Sequence, residues 1–383
     1  MVGAGPAGSA AALAALRRRP DARVLLLDRA DFPRDKCCGD GVAPHALDEL
    51  ARLGVAHVLA DRVPIGVLRV RGPSGAEAAR ALRRPDVVVP REVFDARLVA
   101  AAVERGAVLE RRTVRHLDVR PDRILVDGEH EALAVVGADG ANGVVRRLAG
   151  LPRQPDDAVA VAVRGYARSP GGVPEQLVVV DPTRWPAYAW SFDAGDGTRN
   201  VGFGMLLPSL RASERGGRRT LLDRLEALLP GTGAQRLVSH KLPLSTSRPH
   251  QPPGRVLLAG DAASLVNPLT GEGIFYALLS GRLAGEAALE GAAAGASYAA
   301  ALRRELGRHL RHTSLLTRAT ARPGAVDAAV RACARDEAAF DALVEVGLGR
   351  GLVTRPLAVG AVRAVVGGRL RRADRAGPPP PSR

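Results

Sequence analysis

The 383-residue sequence predicts an α/β fold plus an antiparallel β-sheet: a Rossmann-like nucleotide-binding domain, an inserted antiparallel-sheet domain and a helical C-terminal region. Three patterns support this prediction. A Gly-x-Gly-x-x-Gly run opens an alanine-rich helix, short alternating strands fill the middle, and a strand, a turn and a helix return before a long helical stretch. Because 46% of the residues are hydrophobic, the chain can bury a full core.

The glycine run comprises Gly3, Gly5 and Gly8. Gly3 permits a tight turn after a strand, Gly5 lets the backbone approach a pyrophosphate, and Gly8 lets the next helix pack closely on the sheet. The start of that helix, around Ala7 and Ser9, adds free N–H groups and a positive dipole for phosphates. The run therefore predicts a nucleotide site, and a tight turn without a ligand is the alternative.

The strand after this helix ends in a carboxylate. It extends from Ala22 to Leu27 and reaches Asp28, about twenty residues beyond the last glycine, where a carboxylate can accept hydrogen bonds from ribose hydroxyls. The strand that should precede the glycine run is nearly absent, because only two residues come before Gly3. We expect either further residues upstream or a sheet that lacks most of its first strand.

The next segment carries loop, helix and strand patterns in turn. Residues 29–41 are rich in turn formers and predict a loop that runs over a bound nucleotide. A second strand-to-turn junction follows at 137–142, with Asp139 at its tip. Between the two we predict helices at 44–53 and 90–105, strands at 67–70, 87–89 and 133–136, and a hairpin of 108–119 with 123–126.

The middle of the chain predicts an antiparallel sheet from about Asp157 to Leu244, with one helix at 220–229. Aromatic residues make up only 3% of the chain, yet Tyr188, Trp190 and Phe192 alternate by two and so share one face. A wall of rings suits an extended apolar ligand. An ordinary sheet core is the alternative.

The chain then returns to the nucleotide domain. A strand from Arg255 ends at Gly260 and Asp261, and a glycine-rich loop leads to a helix that starts at Ile274. Beyond Ser297 the pattern is helical. These patterns predict a nucleotide-binding domain at 1–156 and 251–295, an antiparallel-sheet substrate domain at 157–250, a helical C-terminal region at 296–376 and a disordered tail at 377–383.

Composition limits the classes of partner. The formal net charge is +15, almost all of it from arginine, but no arginine-rich block alternates with stacking aromatics, so we expect no nucleic-acid binding. Apolar stretches are broken well before the roughly 18 residues of a membrane span. Cys37 and Cys38 are two of only three cysteines, which indicates a reducing, cytoplasmic location without a secretory signal. Cysteine and histidine spacing predicts no metal site.

Several separated features resemble, in this order, the fingerprints of FAD-dependent oxidoreductases of the p-hydroxybenzoate hydroxylase fold group. They are the Gly3–Gly8 turn, Asp28, Arg91 with Asp95, and the segments 137–146 and 260–273. Within that group, residues 36–44 (Lys-Cys-Cys-Gly-Asp-Gly-Val-Ala-Pro) and 188–192 (Tyr-Ala-Trp-Ser-Phe) resemble the paired signatures of the geranylgeranyl reductase family. The chain departs from that pattern at Gly143, where serine is frequent, and at Asp193, where proline is common.

The resemblance implies bound FAD, with NAD(P)H or a ferredoxin as electron donor. It implies cofactor contacts from Gly3, Gly5, Ala7, Gly8, Asp28, Arg29, Arg91, Asp139, Gly260, Asp261, Gly271, Gly273 and Ile274. It further implies a prenyl channel lined by Tyr188, Trp190 and Phe192, with Cys38 controlling the pocket or assisting proton delivery. A purely structural thiol is the alternative for Cys38.

The function that the resemblance implies is reduction of carbon–carbon double bonds in a polyprenyl chain carried by a quinone, a diphosphate or a lipid. Two other hypotheses remain open at the level of sequence: an FAD-dependent monooxygenase acting on an aromatic or polyketide substrate, and a flavin-free binding protein. A lipid-like substrate would also bring the protein to the inner face of a membrane. Arg363, Arg369, Arg371 and Arg372 on amphipathic helices are the expected contacts there.

Overall fold

The computed structural model describes residues 1–183, 185–246, 249–321 and 324–353. Helices in this part are α1 (Pro6–Arg18), α2 (Pro44–Arg52), α3 (Arg91–Glu104), α4 (Val145–Leu148), α5 (Leu207–Arg211), α6 (Gly217–Leu228), α7 (Ile274–Ala288), α8 (Ala294–Thr320), α9 (Ala325–Arg335) and α10 (Glu337–Leu348). Strands are β1 (Leu25–Asp28), β2 (Gly41–Val42), β3 (Pro64–Arg71), β4 (Glu77–Val88), β5 (Val108–Arg111), β6 (Leu117–Val119), β7 (Ile124–Val126), β8 (His130–Ala132), β9 (Val135–Gly137), β10 (Val159–Arg168), β11 (Gln176–Val180), β12 (Ala187–Asp193), β13 (Thr198–Leu206), β14 (Gln235–Pro243) and β15 (Val256–Leu258).

A parallel sheet lies beneath the glycine run, and the first residues of the chain sit at its centre. Strand β1 pairs with β5, and β9 pairs with β15, all in parallel. Val2 bridges Leu27 on one side and Gly137 on the other. The Val2 amide donates to the Val136 carbonyl at 2.8 Å, and the Gly3 amide donates to the Leu27 carbonyl at 2.7 Å. The short stretch before the glycine run therefore pairs with both neighbouring strands.

Helices α1 and α7 pack on each other through glycines. A Cβ atom added at Gly281 would lie 2.2 Å from the Ala7 carbonyl oxygen, and one at Gly285 would lie 2.0 Å from that of Ala11. Only glycine permits backbones to approach this closely. The contact brings the N-terminal ends of both helices, which carry the glycine run and residues 271–274, to the same end of the sheet.

The second sheet has eight strands in the order β14-β10-β13-β12-β11-β3-β4-β2. All neighbouring pairs are antiparallel except β11 with β3, which are parallel. Three of its strands come from residues 41–88, so a boundary at residue 156 separates them from the sheet in which they pair. The predicted strand at 108–119 is wrong as one element: it is two strands, because β5 joins β1 whereas β6 forms a hairpin with β7.

The last described helices cover the outer strands of this sheet. Side chains of α9 and α10, among them Val330 and Phe340, pack against Ala78 and Leu82 of β4. In the described residues, no helix combines the length and apolar character that crossing a membrane requires. The predicted α/β and antiparallel-sheet fold class is confirmed. The predicted arginine contacts at 363–372 and the predicted tail at 377–383 lie outside the described residues, and the domain boundaries stay a prediction.

Candidate active site

A cleft of about 600 Å³ runs along the carboxyl ends of the parallel strands. Its walls come from the glycine turn, the loop after β1, strand β14 and the start of α7. The structure brings these predicted residues to its lining: Gly3, Gly5, Ala7, Asp28, Arg29, Cys38, Arg91, Asp139, Gly260, Asp261, Gly271, Gly273 and Ile274. Gly8 lies beneath the lining, where a Cβ atom would be 1.8 Å from the Gly3 carbonyl oxygen.

The glycine turn is held by contacts that exclude side chains. Gly3 has a φ of +95°, and a Cβ atom there would lie 2.3 Å from the Ala138 carbonyl oxygen. Helix α1 starts directly after the turn, at Pro6, where the missing N–H of proline costs no helical hydrogen bond. Its N-terminal end therefore faces the cleft without a capping side chain, an arrangement suited to a phosphate group.

Asp28 organises the two turns that flank the cleft. Its Oδ2 accepts from the Ala4 amide at 2.8 Å, and its Oδ1 accepts from the Ala30 amide at 3.0 Å. A carboxylate oxygen can accept more than one hydrogen bond, so both oxygens can still receive a donor from a ligand. The predicted ribose contact is thus compatible with this geometry.

Asp139 caps a short helix at the opposite wall. Its Oδ2 accepts from the amides of Val144 and Val145 at 2.6 and 2.9 Å, while its buried Oδ1 has no partner among the described residues. A Cβ atom at Gly143 would lie only 2.1 Å from the Asp139 carboxyl carbon. The departure at Gly143 therefore has a physical reason, because a serine in this backbone would collide with that carboxylate.

Lys36 and His240 are site residues that sequence reasoning missed. The Lys36 ammonium donates to Asp261 Oδ2 at 3.0 Å across the cleft. Burial alone would raise the pKa of Asp261, but the Lys36 charge holds it below its usual value. The buried Nε2 of His240 has no hydrogen-bond partner among the described residues, and burial lowers the pKa of this side chain to about 4. Lys36 could have been noticed as one of only two lysines.

Arg91 forms a fully buried ion pair under the cleft. Its Nε and Nη2 donate to the two carboxylate oxygens of Asp95 at 2.6 and 2.7 Å. Arg34 reaches the same carboxylate at 3.2 Å from the loop above. The Arg91 charge also acts on the thiol of Cys38, although burial dominates and raises the pKa of that thiol. Two cations thus share one buried carboxylate next to Cys38.

The predicted aromatic face exists, but its rings do not line this cleft. The Tyr188 and Trp190 ring centroids are 6.0 Å apart, and those of Trp190 and Phe192 are 6.5 Å apart. The face packs behind two turns that do line the cleft. Phe192 lies against Gly39, where a Cβ atom would be 3.2 Å from its ring, and the Tyr188 hydroxyl donates to the Thr270 carbonyl. The aromatic face therefore forms the back of the cleft wall.

Glu272 lies in the turn that precedes α7, and the sequence did not predict it as a site residue. Its Oε1 accepts from the Phe275 amide at 2.7 Å and so caps α7. Burial raises the pKa of Glu272 to about 7, and its charge acts on both Cys38 and Tyr188. A carboxyl group with a pKa near neutral pH is thus close enough to both Cys38 and Tyr188 to act on them electrostatically.

The features of the cleft fit a dinucleotide. The glycine cradle and the N-terminal end of α1 suit a pyrophosphate, and the orphaned Nε2 of His240 suits a polar group of a bound molecule. Within the described ranges, no cluster of histidine, cysteine or carboxylate side chains could hold a metal ion.

Comparison with known proteins places the chain among named reductases. No family model matches it. It is 37% identical to a menaquinone reductase of Mycolicibacterium smegmatis, covering 74% of each chain. It is 34% identical to digeranylgeranylglycerophospholipid reductase 1 of Methanopyrus kandleri, covering 74% of this chain and 78% of that protein.

Solved structures show the same fold. A geranylgeranyl bacteriochlorophyll reductase-like protein of Thermoplasma acidophilum superposes with a TM-score of 0.78 at 21% identity, over 90% of this chain and 94% of that one. A flavin-dependent brominase superposes with a TM-score of 0.67 at 18% identity, over 97% and 98% of the two chains. At these identities the structures establish the fold alone, whereas the reductases above establish the family. The chain belongs to the geranylgeranyl reductase family of FAD-dependent oxidoreductases.

Proposed function

We propose that this protein binds FAD and saturates carbon–carbon double bonds in a polyprenyl chain carried by a quinone, a diphosphate or a lipid. The observation that carries the proposal is the packing of the aromatic strand against the Cys38–Gly39 turn, whose other side lines the dinucleotide cleft. The aromatic strand thereby supports the wall along which an apolar chain would enter the cleft, and the reacting alkene itself would lie in the cleft, within about 3–3.5 Å of the flavin. The names of the two reductases support a prenylated substrate.

The proposed cofactor contacts divide by chemistry. The Gly3–Gly8 turn and the N-terminal end of α1 would hold the pyrophosphate, and Asp28 would hold the ribose. Asp261 would hold a ribityl hydroxyl, with Lys36 beside it, and the start of α7 at Gly273 and Ile274 would place a helix dipole at the flavin. Arg29, Arg91, Asp139, Gly260 and Gly271 would complete the cradle.

Bound reduced FAD supplies a hydride, and the protein must supply position, a dry environment and a proton. A trisubstituted alkene is not polarised, so alignment in a pocket without water must contribute much of the catalysis. The rings of Tyr188, Trp190 and Phe192 would exclude water from the chain. Positive charge developing at the tertiary carbon favours hydride addition there and proton addition at the other carbon.

We propose that Glu272 holds the proton, with Cys38 shaping the pocket beside it. Burial raises the pKa of Cys38 above that of an already weakly acidic thiol, so Cys38 gives up its proton poorly, whereas the pKa of Glu272 is about 7. A general acid works best when its pKa lies near the working pH. The carboxyl group is therefore the better donor of the two.

Replacing Glu272 by glutamine tests this assignment. Glutamine keeps an oxygen for the Phe275 amide but has no proton to give, so the rate of alkene reduction should fall by at least about 100-fold. In the unmodified protein the rate should decline as the pH rises through about 7, because Glu272 loses its proton there. Stopped-flow oxidation of the reduced flavin measures both effects. E104Q at an exposed position is the control, and an E272Q rate equal to the unmodified rate would contradict the role.

The reaction class is tested by mixing the reduced protein with a menaquinone in the absence of air. Return of the oxidised flavin band at about 450 nm that is faster with this menaquinone than with the same quinone carrying a saturated side chain would support the reductase, because the quinone head alone can accept electrons from reduced flavin. Oxygen consumption stimulated by an aromatic substrate would instead support the monooxygenase. A protein that gains no such band when FAD is added would support a flavin-free binding protein.

The electron donor and the location belong to the same proposal. NAD(P)H or a ferredoxin would reduce the flavin, and comparing the two donors in the same assay distinguishes them. A prenylated substrate would bring the protein into peripheral contact with the inner face of a membrane, where such lipids reside.

A further inference from the structure

Asn200 uses its whole side chain to join the aromatic face to the cysteine turn. Its Oδ1 accepts from Trp190 Nε1 at 2.7 Å. Its Nδ2 donates to the Cys38 carbonyl at 2.9 Å and to Asp40 Oδ2 at 2.8 Å. Only 1% of Asn200 is exposed, so water does not share these bonds. One buried amide therefore contacts the backbone of Cys38 and the ring of Trp190 at the same time.

The turn that Asn200 holds is strained and depends on its anchors. Asp40 has a φ of +63°, a left-handed conformation that is unfavourable for a residue with a Cβ atom. Such a conformation persists only where the surroundings impose it. Asp40 Oδ2 receives the Asn200 amide and the Tyr166 hydroxyl, the latter at 2.6 Å, and its Oδ1 has no partner among the described residues. Among the described residues, the Asn200 amide and the Tyr166 hydroxyl are the hydrogen-bond donors that hold the Asp40 side chain.

The Trp190 ring is fixed as tightly as the turn. A Cβ atom at Gly202 would lie 2.2 Å from Trp190 Cζ2, so the ring lies directly on the backbone of β13. Its Nε1 also lies 3.6 Å from where a Cβ atom on Gly39 would be. Among the residues that the structure describes, Asn200 is the side chain with hydrogen bonds to both the ring and the turn.

We propose that Asn200 is a positioning residue that sets the placement of Cys38 relative to the prenyl-binding aromatic face. Its role in turnover rests on the proposed function, whereas its role in holding the turn does not. A substrate that presses on Trp190 would act through Asn200 on the turn that carries Cys38. Asn200 would thereby couple the position of the bound alkene to the position of the Cys38 turn, which lines the cofactor cleft.

Asn200→Asp tests the link, because a carboxylate keeps an acceptor for Trp190 but faces the Cys38 carbonyl and Asp40 with no donor. In a Cys37→Ser background, the rate of Cys38 alkylation by iodoacetamide, read by peptide mass mapping, should rise at least about tenfold. Trp190→Phe should raise it about threefold, since Asn200 then loses one anchor. Gln235→Glu, the same amide-to-carboxylate change at an exposed position of β14 outside the cleft lining, is the matched control and should leave the rate unchanged.

The double variant N200D/D40N distinguishes the loss of these hydrogen bonds from general misfolding of N200D. It restores a donor between residues 40 and 200 but leaves the Cys38 carbonyl without one, so Cys38 alkylation should fall only part of the way back towards the parent rate. With a prenyl substrate, N200D should lower kcat at unchanged FAD content, and the double variant should recover part of it. Unchanged alkylation in N200D and W190F would overturn the proposal. Absence of prenyl reduction by the parent would instead refute the proposed function and leave the alkylation result as the test of Asn200.

Discussion

Replacing Gly285 by alanine is expected to destabilise the protein by about 2–3 kcal/mol, although alanine is the better helix former. The added methyl group would lie 2.0 Å from the Ala11 carbonyl oxygen, so α1 and α7 must move apart. That movement would shift the glycine turn relative to residues 271–274, and FAD affinity should fall with stability. Urea unfolding followed by circular dichroism measures the first effect, and flavin fluorescence titration measures the second.

Gly307→Ala provides the matched control in α8. A Cβ atom there has no neighbour closer than 3.9 Å, so the same substitution should stabilise the protein by up to about 1 kcal/mol. Opposite signs at the two helix positions would show that the α1–α7 contact, and not helix propensity, sets the outcome. A G285A variant as stable as G307A would show that the helices are not in backbone contact.

Replacing Asp95 by asparagine should have the larger effect, a loss of about 3–5 kcal/mol. Arg91 is 4% exposed and Asp95 is fully buried, so the substitution leaves a buried guanidinium without its counter-charge. Arg34 would lose the same partner. Thermal unfolding at several salt concentrations measures the loss, which salt should alter little because the pair is buried.

Two comparisons separate stability from cofactor binding. Asp61→Asn breaks an ion pair with Arg97 in which Asp61 is 53% exposed, and it should cost less than about 1 kcal/mol. The double variant R91M/D95M removes both charges and should regain most of the stability while FAD affinity stays low. If the double variant bound FAD normally, Arg91 would have no part in the cofactor site.

The nucleotide half of the fold could be predicted because its signals are local. The glycine run and the strand ending at Asp28 each follow from a few neighbouring residues. Even here the sequence could not reveal that Val2 and Gly3 suffice to bridge two strands, because that depends on partners more than 20 residues away.

Strand β4 shows why part of the second sheet was missed. Residues 77–84 consist mostly of alanine and arginine, and Pro85 follows, so the sequence predicts only the apolar end at 87–89. Pairing with β3 imposes the strand, with a register shift near Asp86 that accommodates the proline. Tertiary pairing here overrides local preference.

The contacts that refine the site share one property: they join distant segments. Lys36 meets Asp261 from 225 residues away along the chain, and Asn200 meets Cys38 only when the second sheet packs against the loop after β1. The requirement for glycine at positions 281 and 285 likewise becomes evident only from their backbone contact with α1. Sequence patterns identify the residue types that a cofactor requires, but they do not show which polar side chains complete one another across the fold.

The central claim is tested most directly by the mass of the product. The FAD-loaded protein, reduced with dithionite, is incubated without air with a menaquinone and, separately, with a geranylgeranyl lipid, and the products are analysed by mass spectrometry. We predict that the prenyl chain of one of them gains two hydrogen atoms per double bond reduced and no oxygen. Unchanged mass for both substrates, or gain of an oxygen atom once air is admitted, would contradict the assignment as a prenyl reductase.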